Sequence, residues 1–214
     1  MHVILYIHGM GGGADSRIPS ILNEWFAARN AVEDTDVKVV ARTYDFDPEL
    51  ASAQIGDWVE ELKPVMVIGE SLGSLHALRI TGVPHILISP ALNASYYFQV
   101  MAWLTLIPGV TWLFDRIYKP REGDRQPLHF TFRTLRKYRN HRREAMLTSA
   151  AGNDDFHAFI GTKDHYRRTG VVSLHTWKKH FGETYTIYEG THFTEEEYIF
   201  SLIIPKIKEL MKLY

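Results

Sequence analysis

The chain has no cysteine in 214 residues, which removes disulfides, thiolate catalysis and cysteine-ligated zinc from consideration. It has no apolar run of the roughly 18 residues needed to span a bilayer. It has no charge surplus either. The 24 Lys and Arg against 25 Asp and Glu leave a formal net charge of -1, so the molecule as a whole is not an electrostatic partner for nucleic acid. No basic segment or small-residue cleavage site accompanies the first apolar run, Val3 to Ile7, and a cytoplasmic protein is the expectation. Internal repeats, low-complexity linkers, metal-ligand clusters and clear cofactor motifs are missing, so neither metal nor cofactor is expected. What is present is ordinary globular composition, 45% hydrophobic and 23% charged, at a length that suits one domain over 1–214.

Two hydrophobic periods alternate along the chain. Short apolar runs at Val3–Ile7, Val37–Ala41, Val65–Ile68, Ile86–Ile88, Phe156–Ile160 and Tyr185–Tyr188 read as buried strands. Helical spacing fits Ile18 to Phe26, Leu50 to Leu62, Ser71 to Ile80, Leu174 to His180 and Glu195 to Leu213. Strands alternating with helices predict an α/β fold, a mostly parallel sheet covered by helices on both faces. The alternation stops over 92–150, an aromatic and basic segment that reads as a helical insertion between core strands.

Gly69-Glu70-Ser71-Leu72-Gly73 fits G-x-S-x-G. Such a serine sits on a sharp strand-to-helix turn that exposes its hydroxyl in a strained backbone conformation. Larger side chains two residues either side would clash. The context agrees, since Val65 to Ile68 runs into the motif and Leu72, Leu75, His76 and Leu78 follow at helical spacing.

With Ile4-Leu5-Tyr6-Ile7-His8-Gly9 opening the chain, the sequence resembles the α/β-hydrolases, and most the compact YqiA-type bacterial esterases. The resemblance covers roughly 1–91 and 155–214 and leaves out the insertion. It implies a three-layer α/β-hydrolase fold and a serine hydrolase acting on a small-molecule carboxylic ester or thioester. It also implies a triad in the chain order serine, acid, histidine. Ser71 would be the nucleophile. Asp164 follows the Phe156–Ile160 strand and a glycine turn, where the acid belongs. His192 follows the last strand, where the base belongs. Asp154 and Asp155 are rival acids at the wrong end of their strand, and Glu189 is a weaker one. His157, His165, His175 and His180 suit surface or packing roles.

An oxyanion hole needs two backbone N–H donors. Leu72, after the nucleophile, and Met10, past the first strand, occupy the matching positions. Gly9 and Gly11 let the backbone approach a substrate, His8 braces that loop, and Glu70 flanks the serine. In the insertion, Pro108-Gly109 divides two short helical pieces. If they form a lid, Trp103, Leu106 and Trp112 would line an acyl pocket, and a neighbouring basic cluster would hold an acidic leaving group. The apolar side chains could equally pack on the sheet or serve a dimer.

Two other readings also fit these residues. Gly9, Gly11 and Ala14 fit G-x-G-x-x-A, with Asp36 or Asp45 placed for a ribose contact, as in dinucleotide-binding proteins. Residues 116–143 carry ten Lys and Arg, Arg121 among them, against Glu122 and Asp124. With Phe130, Phe132 and Tyr138 interleaved, that stretch could make a silent hydrolase fold into a binding module for RNA, an acidic protein or an anionic lipid surface. A recognisable RNA-binding motif is missing, so no nucleic acid is expected. A transient contact with a membrane surface stays open.

Overall fold

The computed structural model describes residues 2–33, 36–120, 122–152 and 154–212, with the side chains of 30–33 left aside. Arg121 and Leu213, both used above, lie outside the described residues. Six strands form one sheet: β1 (His2–Ile7), β2 (Val37–Ala41), β3 (Met66–Glu70), β4 (His85–Ile88), β5 (Phe156–Gly161) and β6 (Tyr185–Tyr188). Their order is β2-β1-β3-β4-β5-β6, and every neighbouring pair is parallel. The chain moves outward from β1 to β2 and then returns to the other side of β1 as β3. In parallel sheets the crevice beyond the strand C-termini at such a reversal is the usual ligand position.

Successive strand residues point to opposite faces, so each continuous apolar run feeds two cores. Leu5, Ile7, Val67, Leu87, Ala158 and Ile160 pack on one side. They meet Ala51 and Ile55 of α2 (Pro48–Leu62), Leu75 of α3 (Gly73–Ala77) and Trp177 of a helix at Leu174–Phe181. Ile4, Tyr6, Met66, Ile68, Ile86 and Ile88 pack on the other. There they meet Ile18, Leu22 and Phe26 of α1 (Arg17–Glu33) and the C-terminal helix.

The insertion divides by burial. It holds α4 (Ala94–Leu104), α5 (Val110–Ile117) and α6 (Phe132–Ala151). Thr131 caps α6 by accepting from the Thr134 N–H at 3.1 Å. Leu135, Tyr138, Ala145 and Met146 of α6 lie in the same core as the sheet, and the Tyr138 hydroxyl donates to the Phe46 carbonyl at 2.7 Å. This half of the segment is core. In α5, by contrast, no residue is buried.

Three local features differ from the spacing. The helix expected over 71–80 is the short α3, because Ser71 is left-handed and cannot belong to it. A short helix, α7 (His165–Thr169), precedes the helix at Leu174–Phe181, which is α8. The last helix is interrupted: α9 (Glu196–Tyr198), a π turn (Ile199–Ile203) and α10 (Ile204–Met211) follow one another. Pro205 has no N–H to give to the preceding turn, which accounts for the widened winding before it. Among the described residues no helix is long and apolar enough to cross a membrane.

Candidate functional site

Ser71 lies between β3 and α3 with φ +49°, a left-handed value that a non-glycine residue rarely adopts. Its N–H donates to the Ile88 carbonyl at 2.9 Å, and its carbonyl accepts from Ser74 at 3.2 Å and Ala91 at 3.1 Å. These bonds hold the turn in its strained form. The flanking glycines are required by space. A Cβ on Gly73 would come within 2.3 Å of the Ile7 carbonyl oxygen and 2.4 Å of that of His8. A Cβ on Gly69 would come within 2.8 Å of the Ala77 Cβ. The elbow is thus pressed directly against the end of β1.

The loops after β5 and β6 bring two more side chains to this serine. The Thr162 N–H donates to the Tyr188 carbonyl at 2.8 Å, and the Lys163 N–H to the Gly190 carbonyl at 2.9 Å. Zipped together this way, the loops set Asp164 Oδ2 2.8 Å from His192 Nδ1. His192 Nε2 lies 2.8 Å from Ser71 Oγ. A carboxylate only accepts, so Nδ1 carries the proton and Nε2 is left to accept from the serine hydroxyl. Asp164 and His192 are both buried, while Ser71 is half-buried. Burial pushes the Asp164 carboxyl up. The hydrogen bond from His192 and the Tyr166 N–H, at 2.8 Å from Oδ1, outweigh it and hold the group below its ordinary value.

The rival acids stand elsewhere. The Asp155 carbonyl accepts from the His85 N–H, and Asp154 Oδ1 from the Gly82 N–H, both at the opposite end of the sheet. Glu189 is exposed and pairs with Lys163 at 3.1 Å.

Gly9 faces the serine, since a Cβ there would lie 3.1 Å from the Ser71 Cβ. Among the described residues no backbone carbonyl accepts from the N–H of Met10 or of Leu72. His8 is buried, stacked on Tyr44 at 4.2 Å, with Nδ1 2.8 Å from the Gly9 carbonyl. Burial lowers it to about 4, so it stays neutral at ordinary pH. Gly11 adopts φ +72°, and its N–H donates to Gln126 Oε1 at 3.1 Å. Glu70 turns its carboxylate to the Tyr6 hydroxyl at 2.6 Å. Trp103, Leu106 and Trp112 are exposed. The ring and cation contacts of the two tryptophans go to Phe132, Arg136 and Arg116, and none joins them to Ser71 or His192.

Residues that the spacing did not single out hold the site. Gln126, fully buried, binds the glycine loop through Gly11, donates to the Asp45 carbonyl at 3.2 Å and receives Gly12 through its own N–H, which donates to the Gly12 carbonyl at 2.6 Å. A Cβ on Gly13 would lie 1.7 Å from the Asp124 carbonyl oxygen. The glycine loop is thus packed closely against residues 124–126. Arg17 donates to the carbonyls of Phe193 (2.6 Å) and Thr194, fixing the His192 loop from across the chain. The Tyr166 ring lies 4.6 Å from the His192 ring, edge to face, and the Phe193 ring 5.6 Å from it.

No family model and no curated protein matches the chain. Solved structures do. The chain is similar to a monoacylglycerol lipase of Paleococcus ferrophilus, at TM-score 0.59 and 16% identity over 98% of this chain and 94% of that one. It is similar to a structure of the metagenome-derived lipolytic enzymes LipS and LipT, at TM-score 0.64 and 16% identity over 97% and 93%. It is similar to Est1E of Butyrivibrio proteoclasticus, solved with ferulic acid, at TM-score 0.61 and 16% identity over 99% and 88%. The chain has the α/β-hydrolase fold.

Proposed function

We propose that the protein is a serine hydrolase that cleaves a carboxylic ester or thioester through an acyl-enzyme on Ser71. One observation carries the reading. Ser71, His192 and Asp164 form a continuous hydrogen-bonded chain, 2.8 Å at each link, with the serine on a strained turn at the sheet's reversal point. The esterase and lipase character of the structural neighbours supports the same reaction class.

The cycle follows from the roles. Ser71 Oγ attacks the carbonyl carbon as its proton passes to His192 Nε2. Asp164 keeps Nδ1 protonated and stabilises the imidazolium that forms. The N–H groups of Met10 and Leu72 receive the developing oxyanion. His192 then protonates the leaving group. Water, deprotonated by the same nitrogen, releases the acid and restores Ser71. Tyr166 and Phe193, which flank His192, form the apolar wall beside the reacting carbonyl.

A fluorophosphonate probe with p-nitrophenyl acetate and butyrate tests this beside Ser71→Ala. Labelling and turnover should vanish together in the variant. Labelling that persists would move the nucleophile elsewhere. A folded wild-type protein that neither labels nor turns over would end the hydrolase reading.

A further inference from the structure

We infer that the exposed face of α4 and α5, with the arginines beside it on α6, docks the protein on an anionic lipid surface. Large apolar side chains stand in solvent on both sides of the Pro108-Gly109 turn. Trp103 is 59% exposed, Leu106 57%, Ile107 55%, Trp112 63%, Leu113 44% and Ile117 62%. Single exposed apolar residues are common, but a contiguous set marks a contact surface. Core packing accounts for little of α5, which buries no residue: Phe114 leans on the core and Asp115 accepts from the Phe130 N–H at 2.9 Å, while Trp112, Leu113 and Ile117 stay in solvent.

The rim of this face is cationic in a specific way. Arg142 lies over the Tyr96 ring at 4.9 Å, Arg136 over Trp103 at 5.8 Å and Arg116 over Trp112 at 5.4 Å. Tyr96, Trp103 and Trp112 thus each carry a guanidinium over the ring. Behind them α6 presents Arg133, Arg139 and Arg143 to solvent, and among the described residues no acid pairs with these three. An open cleft of about 740 Å³ lies between α4 and α6, walled by these arginines and Tyr96. The acids nearby are committed, Glu49 to Lys137 at 2.7 Å and Glu144 to Arg79 at 3.0 Å. All this positive charge sits on a chain whose net charge is -1.

Charge decides the occupant. A second copy meeting this face about a two-fold axis would set the arginine rim against itself, which opposes association. A bilayer rich in anionic lipid meets both halves of the surface. Trp and Leu side chains enter the boundary between headgroups and acyl chains, and the arginines reach the phosphates.

The test is cosedimentation of the full chain with vesicles of phosphatidylglycerol and phosphatidylcholine in equal parts, and with phosphatidylcholine alone. It does not depend on hydrolysis. Thermal unfolding confirms that each variant is folded. The protein should bind the mixed vesicles, weaken with salt, and bind phosphatidylcholine poorly. Leu106→Glu with Trp112→Glu should abolish binding. Arg133→Gln, Arg139→Gln and Arg143→Gln together should lower the partition coefficient about a hundredfold. Failure to bind the mixed vesicles would overturn the inference, as would binding that survives either set of changes. So would a dimer in light scattering that the glutamate pair dissociates while vesicles are ignored.

Discussion

Helices α3 and α5 are both short and opposite in their surroundings. All five residues of α3, Gly73 to Ala77, are buried, and the helix is wedged between β1, β3 and α6. None of the eight residues of α5 is buried. The difference shows what apolar composition does and does not say. In α3 Gly73 and the small side chains answer a spatial demand: the elbow must press on the end of β1 so that Ser71 meets His192. In α5 only Phe114 packs partly on the core, while Trp112, Leu113 and Ile117 stand exposed.

The largest effect should fall on the reaction at the α3 side. Ser71→Ala should cut turnover of p-nitrophenyl butyrate on the order of 10⁴-fold or more, measured under saturating substrate, with little change in unfolding midpoint. Retention of even a tenth of the wild-type rate would detach the elbow from the chemistry.

Packing should then separate the two helices. Leu75→Ala, at a fully buried position, should cost about 2–5 kcal/mol in urea unfolding. Leu113→Ala on α5 should stay within about 0.5 kcal/mol. Equal losses would mean that α5 packs against something in solution.

Glycine substitution sharpens the contrast. Gly73→Ala drives a Cβ into two carbonyl oxygens of the β1 end and should cost about 1–3 kcal/mol, or more, and lower activity with it. Gly109→Ala, at the head of α5, meets nothing within 4 Å and carries only the strain of φ +85°, about 1 kcal/mol.

At neutral pH the last effect vanishes, because it is a slope that opens only in acid. Burial lowers His8 and His85 to about 4 and His141 to about 3, and it lowers His76 of α3 as well. In the unfolded chain these groups titrate near 6.5. Between the two ranges the unfolded state binds more protons, so stability is full above about 6.5 and falls as pH drops toward 4. Each histidine adds at most about 1.4 kcal/mol per pH unit. His85→Leu should flatten the curve of unfolding free energy against pH by one proton's share. An unchanged slope would mean that His85 is protonated when folded.

Some of this was legible in the sequence because its causes are local. The elbow needs a strand, two glycines and a helix in immediate succession, and all are visible between Val65 and Leu78. Asp164 and His192 could be placed because each follows a strand-like run by a few residues. Gln126 and Arg17 could not, since the groups they hold lie 115 and 176–177 residues away in the chain. The insertion was half legible. Its helical breaks showed, but hydrophobicity alone could not separate Phe98, which is buried, from Trp103, which is exposed.

The sequence by itself determined the alternation of strands and helices and the identity of the turn that carries Ser71. Periodicity and steric exclusion act over a few residues, so both can be read from a line of letters. Tertiary structure alone decided which loops meet that turn, which half of the insertion joins the core, and which arginines of α6 gather over Tyr96 and Trp103. Those outcomes depend on distances between residues far apart in the chain, and such distances are set only when the parallel sheet brings its strand ends together.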